Sequence, residues 1–334
     1  AEIVNRIAGD ANLQAQNSSQ DARLAAVETA LLSIGDVDLP DTLYVQQAGT
    51  GAVVRTVQDK LREVVSVKDF GAVGDGVTDD GASFKKALDA AVALGMPLYV
   101  EGTFLLNTWT KYVPAGALEI RGSGVIKTAG ATSFTTVGGD TTIDGVIFDG
   151  WTRVVDVAEE VDIGRFQFSN NIVQNGKEGI LWASAGANQI GYGEAQVFNN
   201  TFRNMQTDGV YLRPRRMEVT KITNNTFMDF LSTTTTVNGV VVGLSTATGL
   251  KRHMAEISGN TFFNLKLSSD APAANIYPIL VHEVENYVVS GNNIKNVWKE
   301  GLAYATEVRG IHTRTGRGVV IGNTIENVRG TAIN

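Results

Sequence analysis

The chain has 334 residues, of which 43% are hydrophobic, and it contains 36 Gly, 6 Pro and no Cys. This length buries a sizeable core, the glycine content suits a turn-rich β protein, and the lack of cysteine excludes a disulfide framework, thiol catalysis and cysteine-based zinc sites. A net charge of −7 argues against nucleic acid as a partner. The sequence has no apolar run of about 20 residues and no N-terminal signal peptide, so we expect a soluble protein, made in a cytoplasm, with no membrane partner.

Residues 1–35 predict a helix, because Ala, Gln, Glu and Arg are frequent and Pro is absent. A heptad pattern fits, and its two seams become fully apolar in the last two heptads, at Leu24, Val27, Leu31 and Ile34. Polar seam residues such as Asn17 cost stability but specify register and oligomeric state. We predict a parallel self-association stalk. The alternative is one amphipathic helix packed on its own chain.

Residues 36–66 differ in character and are interpreted as a neck. They begin around the acidic turn GDVDLPD and continue through a Gly-broken β segment. A short amphipathic helix carrying Val57, Leu61 and Val64 is expected after this segment.

The stretch 67–108 predicts a helix of about fourteen residues, capped by Asp79 or Asp80 and ended by Gly95. One face of this helix carries the apolar residues Phe84, Leu88, Ala91 and Val92. The segments PLYV and TFLL are then expected to form the first strands of the sheets. A helix at this place would cover the open end of a solenoid, whose unpaired edge otherwise invites aggregation.

This part of the chain resembles a known superfamily. The phrase DFGAVGDGVTDD, the helix that follows it and the segment YVEGTFLL closely resemble the opening of the pectate-lyase-like β-helix superfamily. The preceding GTGAVVRTVQDKLREVVSVKDFGA resembles the neck of bacteriophage tailspikes, the polysaccharide depolymerases of that superfamily. The resemblance covers residues 49–108. It implies a homotrimer that attaches through its N-terminal part to other tail proteins of the virion, and a β-helix that binds or cleaves a bacterial surface polysaccharide.

A short phrase, Asn-x-apolar-x-Asn/Asp, is repeated six times between residues 171 and 327. Its leading asparagines are Asn171, Asn200, Asn225, Asn260, Asn292 and Asn323, so the intervals are 29, 25, 35, 32 and 31 residues. An apolar residue stands three positions before each leading Asn and two positions after it. Between the phrases lie short β-branched runs such as GILW, GVYLR, GVVVG and PILVH, which predict strands.

A repeat of this period predicts a coil that buries its core only by stacking on its neighbours. Asn at a corner tolerates left-handed backbone, and its amide can form a ladder along the stack. Right-handed crossovers between parallel strands then give an all-β, right-handed parallel β-helix at residues 67–334, with the N-terminal helical stalk and the capping helix. A leucine-rich horseshoe lacks its Leu-x-x-Leu-x-Leu phrase here, and a propeller needs longer, antiparallel blades.

The segments on either side of the repeat are less regular. Residues 109–168 predict strands at LEIRG, GVIKT, TTIDGVIFDG and DIGRFQFS. After the last phrase the chain begins another strand with TAI, without a cap or a trimerisation module. We therefore expect a fragment of a longer tailspike.

Three acidic residues precede a Gly at the start of the strand after the Asn phrase: Glu178, Asp208 and Glu300. They are interpreted either as structural turn residues or as catalytic carboxylates. In the catalytic interpretation, one acid protonates the leaving oxygen and the other attacks the sugar or activates water. Glu178 and Asp208 would lie about one 4.8 Å rung apart, close to the roughly 5–5.5 Å separation of retaining glycosidases.

Other side chains are candidates for sugar binding. The three histidines, His253, His282 and His312, follow the coil period, and His282 and His312 are expected on one face near Arg213. Ordinary surface histidines are the alternative. Basic residues gather in two places, with Arg213, Arg215 and Arg216 in one coil and Arg309, Arg314 and Arg317 in another. They are either solvated turns or a strip that suits the carboxylates of an acidic capsule.

The aromatic residues Trp182 and Trp298 are candidates either for stacking on sugar rings or for the core. A lyase would use Arg or His to neutralise a uronate, while a His or a Tyr such as Tyr211 takes the proton. No calcium-binding cluster or zinc protease motif is found, so we expect no metal and no cofactor.

The sequence as a whole favours a tailspike fragment that acts outside the cell as part of the virion tail and depolymerises a surface polysaccharide. Hydrolysis is preferred over elimination. The competing class is a non-catalytic adhesin or a structural adaptor of the virion.

Overall fold

The computed structural model describes residues 43–157, 164–183, 193–213, 217–233, 235–243, 253–268, 274–299, 307–314, 316–329 and 331–333, together with Gln14, Ser18, Gln20, Asp21 and Arg23. The chain divides into two compact units, residues 1–63 and 64–334. Among the described helices, none is both long and apolar enough to cross a membrane.

The smaller unit contains a β-hairpin followed by a short helix. Strands β1 (Tyr44–Gln46) and β2 (Val54–Thr56) pair antiparallel, and helix α1 (Val57–Leu61) begins directly after them, with the Thr56 hydroxyl capping its first turn. The β segment and the helix thus occur in the predicted order. The helix is shorter than predicted, because it ends before Val64, and none of its residues is buried. Most of the predicted stalk lies outside the described residues; the five that are described there are helical and exposed.

The larger unit is built from three long parallel sheets, to which successive coils contribute strands in turn. Sheet A has ten strands: β3 (Val65–Ser66), β5 (Leu98–Val100), β7 (Leu118–Gly122), β10 (Thr141–Asp144), β13 (Arg165–Ser169), β16 (Glu194–Phe198), β19 (Val219–Thr223), β22 (Met254–Ser258), β25 (Asn286–Ser290) and β28 (Arg317–Ile321). Sheet B has ten strands: β4 (Asp75–Asp79), β6 (Thr103–Leu105), β8 (Val125–Lys127), β11 (Ile147–Asp149), β14 (Ile172–Gln174), β17 (Thr201–Arg203), β20 (Thr226–Ser232), β23 (Thr261–Leu267), β26 (Asn293–Lys299) and β29 (Thr324–Val328). Sheet C has eight strands: β9 (Ser133–Thr135), β12 (Arg153–Val157), β15 (Glu178–Ala183), β18 (Asp208–Arg213), β21 (Val237–Gly243), β24 (Ile276–His282), β27 (Arg309–Thr313) and β30 (Thr331–Ile333). This is the predicted parallel β-helix, although β3 and β4 precede the segments expected to be its first strands.

The six leading asparagines form a continuous ladder along the corner between sheets A and B. Asn171 donates to the Oδ1 atom of Asn200 at 3.2 Å, and the next four steps of the ladder measure 2.9, 3.0, 3.0 and 2.9 Å. The first five of these residues are at most 1% exposed. Because buried amides must find partners, the ladder requires each coil to stack in register on the next. The predicted alignment of these residues is therefore confirmed.

Left-handed backbone occurs beside the leading asparagines rather than at them, which corrects the expectation from sequence. The residue before each leading Asn has a positive φ, as in Asn170 (56°) and Gly291 (62°), and so has the last residue of each phrase, as in Asn204 (54°) and Asp229 (57°). The phrase therefore divides its tasks. The residue before the phrase and its last residue turn the chain, and its leading Asn holds the coils together.

A column of phenylalanine rings fills the core and explains the glycines that follow the acidic residues of sheet C. The rings of Phe202 and Phe227 stack at 5.0 Å, and those of Phe227 and Phe262 at 4.8 Å. A Cβ atom on Gly209 would lie 2.5 Å from the Phe227 ring. Since no positive φ occurs at this residue, Gly209 is required by the close approach of the ring and not by turn geometry.

Helix α2 (Gly81–Leu94) covers the first coils, as predicted. Its buried face consists of Phe84, Ala87, Leu88 and Ala91, and Gly95 ends it with a φ of 63°. Phe84 packs edge-on against Phe104, with ring centroids 5.7 Å apart. The helix thus continues the apolar column of the coils into the cap.

The two aspartates before α2 bind mainly to neighbouring loops, and Asp79 also accepts a hydrogen bond from the N–H of Gly81, the first helical residue, at 3.2 Å. Asp80 occupies the N-cap position, but its carboxylate accepts hydrogen bonds from the N–H groups of Val73 (2.7 Å) and Gly74 (3.0 Å). Asp79 accepts from the Thr108 hydroxyl at 2.6 Å. The phrase DGVTDD therefore ties the cap to the neighbouring loops.

Candidate functional site

The outer face of sheet C carries three rows of side chains, because equivalent residues of successive strands lie side by side. The first row contains Asp208, Asn238 and Tyr277. Glu178 extends this row, because Ile180 pairs with Val210, and Glu178 and Asp208 each stand two residues before these partners. The second row contains Leu181, Tyr211, Val241, Leu280 and His312. The third row contains Arg213, Gly243, His282 and Arg314, and it is fixed by the pairs Leu212–Val242, Gly243–His282 and Val281–Thr313.

Glu178 and Asp208 lie together at the acidic end of the first row. They line an open cleft of about 440 Å³ with Lys177, Thr207, Thr235, Thr236, Asn238 and Ala274. The two strands that carry them are neighbours, so their Cα atoms are separated by about one strand spacing, 4.8 Å. The structure thus brings together two of the three acids that the sequence singled out. Glu300 lies outside the described residues.

Glu178 is held by cations. It is 6% exposed, forms an ion pair with the Arg153 guanidinium and has the Lys177 ammonium at 3.4 Å. Arg153 also lies 3.5 Å from Asp156, so its charge is shared between two carboxylates. The two cations hold the Glu178 carboxyl group in place at the edge of the cleft.

Asp208 occupies a different environment, which favours its protonated form. Burial raises the pKa of Asp208 to about 7, and the neighbouring charge of Glu178 acts in the same direction. The Asn238 amide opposes this shift by donating to the Asp208 Oδ1 atom at 2.6 Å. This hydrogen bond also fixes the orientation of the carboxyl group. The pair thus combines an acid that is paired with cations and an acid whose pKa is raised to about 7.

The third row is basic. The Arg213 guanidinium donates to the Tyr211 hydroxyl at 3.3 Å and to the His282 Nδ1 atom at 3.1 Å. Because an arginine only donates, His282 accepts through Nδ1 and is neutral in this arrangement. Burial and the charge of Arg213 lower the pKa of His282, in agreement with this assignment. These three side chains and Arg314 line a second cavity of about 280 Å³, which shares Thr236 and Asn238 with the acidic cleft.

A second cluster of polar side chains surrounds His312, which is more deeply buried than His282. His312 is 4% exposed, packs against the Tyr277 ring at 5.4 Å between centroids, and contacts Arg309 through a ring nitrogen at 2.9 Å. The Tyr277 hydroxyl donates to Glu307 at 2.7 Å. Burial is the first cause that lowers the pKa of His312. His312 therefore positions neighbouring side chains rather than presenting itself to a large ligand.

Other candidates lie elsewhere. Trp182 is 2% exposed and packs edge-on against Phe166, so it belongs to the core and does not stack on sugars. His253 is 1% exposed and contacts the Thr220 hydroxyl, away from sheet C. Trp298 lies on β26 of sheet B with the Lys266 ammonium over its ring at 4.6 Å.

The basic clusters also divide. Arg317 lies on β28 of sheet A, while Arg215 and Arg216 are outside the described residues. Among the side chains that the structure describes, no group of three or more His, Asp and Glu is arranged to hold a metal ion.

Two residues of the site were missed from the sequence. Asn238 precedes Gly239 just as Glu178 and Asp208 precede their glycines, so an alignment of the coils at the x-Gly step would have found it. Tyr277 occupies the same position of the next coil, before Pro278.

Comparison with known proteins gives short sequence relationships. No protein-family model matches the chain. It is 35% identical over 91 residues to the tail spike protein of Shigella phage Sf6, covering 27% of this chain and 14% of that protein. It is 56% identical over 45 residues to the tail spike protein of an Escherichia phage, covering 14% and 5%. A third relative is the mannuronan C5-epimerase AlgE4 of Azotobacter vinelandii, 44% identical over 59 residues, covering 18% and 8%. Each match thus spans a small part of the relative's length.

Among solved structures, the tailspike protein of E. coli bacteriophage HK620 aligns with 92% of this chain and 71% of its own, at 13% identity and a TM-score of 0.40. The same tailspike in complex with a pentasaccharide aligns with 88% and 68%, with a TM-score of 0.39. The chain is a parallel β-helix protein related in sequence to phage tail spike proteins.

Proposed function

We propose that the chain is part of a phage tailspike that binds a bacterial surface polysaccharide on the outer face of sheet C and hydrolyses its glycosidic bonds. The observation that carries this proposal is the pair Glu178 and Asp208. These acids lie on neighbouring coils in one open cleft, one paired with cations and the other with a pKa raised to about 7. Two carboxyl groups that flank the scissile bond in different environments are the usual machinery of glycoside hydrolysis.

The sequence relatives support a carbohydrate substrate. Two of them are phage tail spike proteins, and another is named for an epimerase that acts on mannuronan, a polysaccharide. The continuous face formed by the two cavities also suits an extended polymer rather than a small molecule, since they adjoin through Thr236 and Asn238.

The mechanism assigns one role to each acid. Asp208 donates its proton to the glycosidic oxygen as the bond breaks, while the Glu178 carboxylate attacks the anomeric carbon and forms a covalent glycosyl-enzyme. Asp208, now ionised, removes a proton from water, which displaces Glu178 and regenerates both groups. A separation of one coil matches the roughly 5–5.5 Å between the acids of retaining enzymes, so the product should keep its anomeric configuration.

Elimination fits the site less well. A lyase needs a base with a free lone pair beside the cation that neutralises a uronate. The neutral ring of His282 has one such lone pair, on Nδ1, and Arg213 already donates to it. Hydrolysis is therefore the reaction proposed.

The test compares three signals on purified surface polysaccharides. Reducing ends without ultraviolet-absorbing unsaturated ends support hydrolysis, and both signals together would indicate a lyase. Binding without either signal would leave a non-catalytic adhesin. Asp208→Asn should abolish reducing-end release while the protein stays folded and keeps binding. An unchanged rate would remove Asp208 from the mechanism.

We also propose that residues 1–35 join three chains into a homotrimer and attach to other phage tail proteins. Support comes from the heptad pattern and from the five helical, exposed residues described there. Light scattering should give the mass of three chains, and a monomer would contradict the stalk.

A further inference from the structure

We propose that the third row of sheet C recognises an acidic group on the polysaccharide, a carboxylate or a phosphate, so that the substrate class is an anionic glycan. This inference rests on the proposed function and specifies its substrate. The argument depends on the positions of Arg213, His282 and Arg314, and on the charges around them.

The third row holds two arginines on either side of a smaller side chain. Arg213, Gly243, His282 and Arg314 occupy successive coils, so the Cα atoms of the two arginines are about three strand spacings, roughly 14 Å, apart. Gly243 adds no side chain, so the Arg213 guanidinium reaches across its position to the His282 ring. A group bound over this row meets Arg213 at one end and Arg314 at the other.

The first arginine is held in place for binding. Its Nη1 donates to the Tyr211 hydroxyl and its Nη2 donates to His282, so the plane of the guanidinium is fixed across the face. A fixed guanidinium loses little side-chain entropy when it binds a carboxylate or phosphate through two parallel hydrogen bonds. His282 and Tyr211 therefore act as positioning residues.

The residues lining the cavity carry positive charge and no carboxylate. The described residues of the lining include Arg213 and Arg314 but no Asp or Glu, although the chain as a whole has a net charge of −7. Beside the cavity, Glu307 pairs with Arg309 at 2.8 Å, and Glu283 lies 3.7 Å from the Nε2 atom of His282. Among the described residues, no carboxylate forms an ion pair with Arg314. A cation left without a counter-ion in a cavity favours an anionic ligand.

A buried amide beside the row indicates a hydroxylated ligand. Asn238 is 7% exposed, and its Oδ1 atom is buried without a hydrogen-bond partner in the described part of the chain, although its Nδ2 is bonded to Asp208. Buried polar atoms normally find a partner. A sugar hydroxyl that crosses from the acidic cleft to the basic cavity would supply the missing donor.

The distance between the two ends of the site defines where the anion lies. Asp208 and Arg213 are the first and last residues of β18, five positions and about 16 Å apart along the strand. The acidic group therefore belongs to a sugar several bonds from the cleaved linkage, and it contributes binding rather than chemistry.

The test uses the Asp208→Asn protein, silenced in cleavage, and an array of purified capsular and O-chain polysaccharides from many bacterial strains. We expect acidic polysaccharides to be bound. Carbodiimide-mediated reduction of the carboxyl groups, or removal of phosphate with hydrofluoric acid, should weaken binding at least tenfold, and the effective treatment identifies the anion. Arg314→Gln, added to the silenced protein, should weaken binding of the untreated polymer about tenfold or more. Arg317→Gln, in the same coil but on sheet A, is the matched control and should leave the affinity unchanged.

The failures are distinguishable. Binding of a neutral polysaccharide alone would overturn this inference and leave the proposed function intact. Equal affinities of the Arg314→Gln and Arg317→Gln proteins, or insensitivity to both chemical treatments, would also overturn it. Absence of binding to every polysaccharide would contradict the proposed function itself.

Discussion

Removing one amide from the asparagine ladder should cost several kcal/mol, whereas removing its exposed neighbour should cost almost nothing. Asn292 and Asn293 are adjacent and chemically identical, but Asn292 is 1% exposed while Asn293 faces solvent from β26. The pair therefore separates the contribution of the ladder from that of strand propensity. The change is Asn292→Ala, with Asn293→Ala as the matched control.

The magnitude follows from the hydrogen bonds lost. The Asn292 Nδ2 donates to Ile257 O and to Asn323 Oδ1, both at 2.9 Å, and its Oδ1 accepts from the N–H and Nδ2 of Asn260, both at 3.0 Å. Four bonds at about 1 kcal/mol each give an upper value of roughly 4 kcal/mol. Asn260 keeps one of its side-chain bonds, to Ile222 O, which reduces the loss. We expect about 3 kcal/mol for Asn292→Ala and under about 0.5 kcal/mol for the control.

The assay is urea unfolding of the three proteins, combined with hydrogen exchange of the peptide that contains Asn260. Exchange is needed because coils can open locally before the whole solenoid unfolds. The loss should appear as faster exchange on both sides of position 292. If Asn292→Ala and Asn293→Ala agree within about 0.5 kcal/mol, the ladder does not hold the coils together.

Four further predictions concern the core and the acidic cleft. Gly209→Ala places a Cβ atom 2.5 Å from the Phe227 ring and should cost about 1–3 kcal/mol of folding stability. The control is Gly130→Ala, which should be nearly neutral because no atom lies within 4 Å of its new Cβ. Equal melting temperatures of the two variants would contradict the close approach. Cleavage should decline as the pH rises through about 7, because Asp208 must be protonated to act as the acid, and a rate that is constant from pH 5 to pH 9 would contradict that role. The raised pKa also means that Asp208 destabilises the folded protein at pH values above the pKa of this group in the unfolded chain, and that this cost grows up to about pH 7. In thermal unfolding, the stability of Asp208→Asn relative to the unchanged protein should therefore be greater at pH 8 than at pH 4. Asn238→Ala removes a bond that lowers the pKa of Asp208, so the alkaline limb of the rate profile should move to higher pH; a shift to lower pH would contradict the assignment.

The fold was predictable because its repeat has one physical cause. Each leading Asn hydrogen-bonds to the next one along the stack, so the spacing of Asn200, Asn225 and Asn260 in the sequence equals the number of residues in each coil. The left-handed positions were misplaced for the opposite reason. Asn suits both a ladder and a turn, and only the backbone angles show that Asn199 and Asn204 turn the chain on either side of Asn200.

The site was predictable only in part. The x-Gly step indicated Glu178 and Asp208, but the sequence could not show that the glycine serves the phenylalanine column. The choice for Trp182 between sugar binding and the core stayed open, because the sequence of an alternating strand does not show which of its two faces is buried. Arg213 and His282 are 69 residues apart in the sequence, and their hydrogen bond spans the position of Gly243 in the intervening strand. No local sequence pattern predicts this contact.

A crystal structure of the Asp208→Asn protein with a bound oligosaccharide of its polysaccharide is the most direct test of the account. The account predicts a sugar chain along the outer face of sheet C, with a glycosidic oxygen within hydrogen-bonding distance of position 208 and the Glu178 carboxylate beside the adjoining anomeric carbon. An oligosaccharide bound to sheet A or sheet B, with the acidic cleft empty, would contradict it.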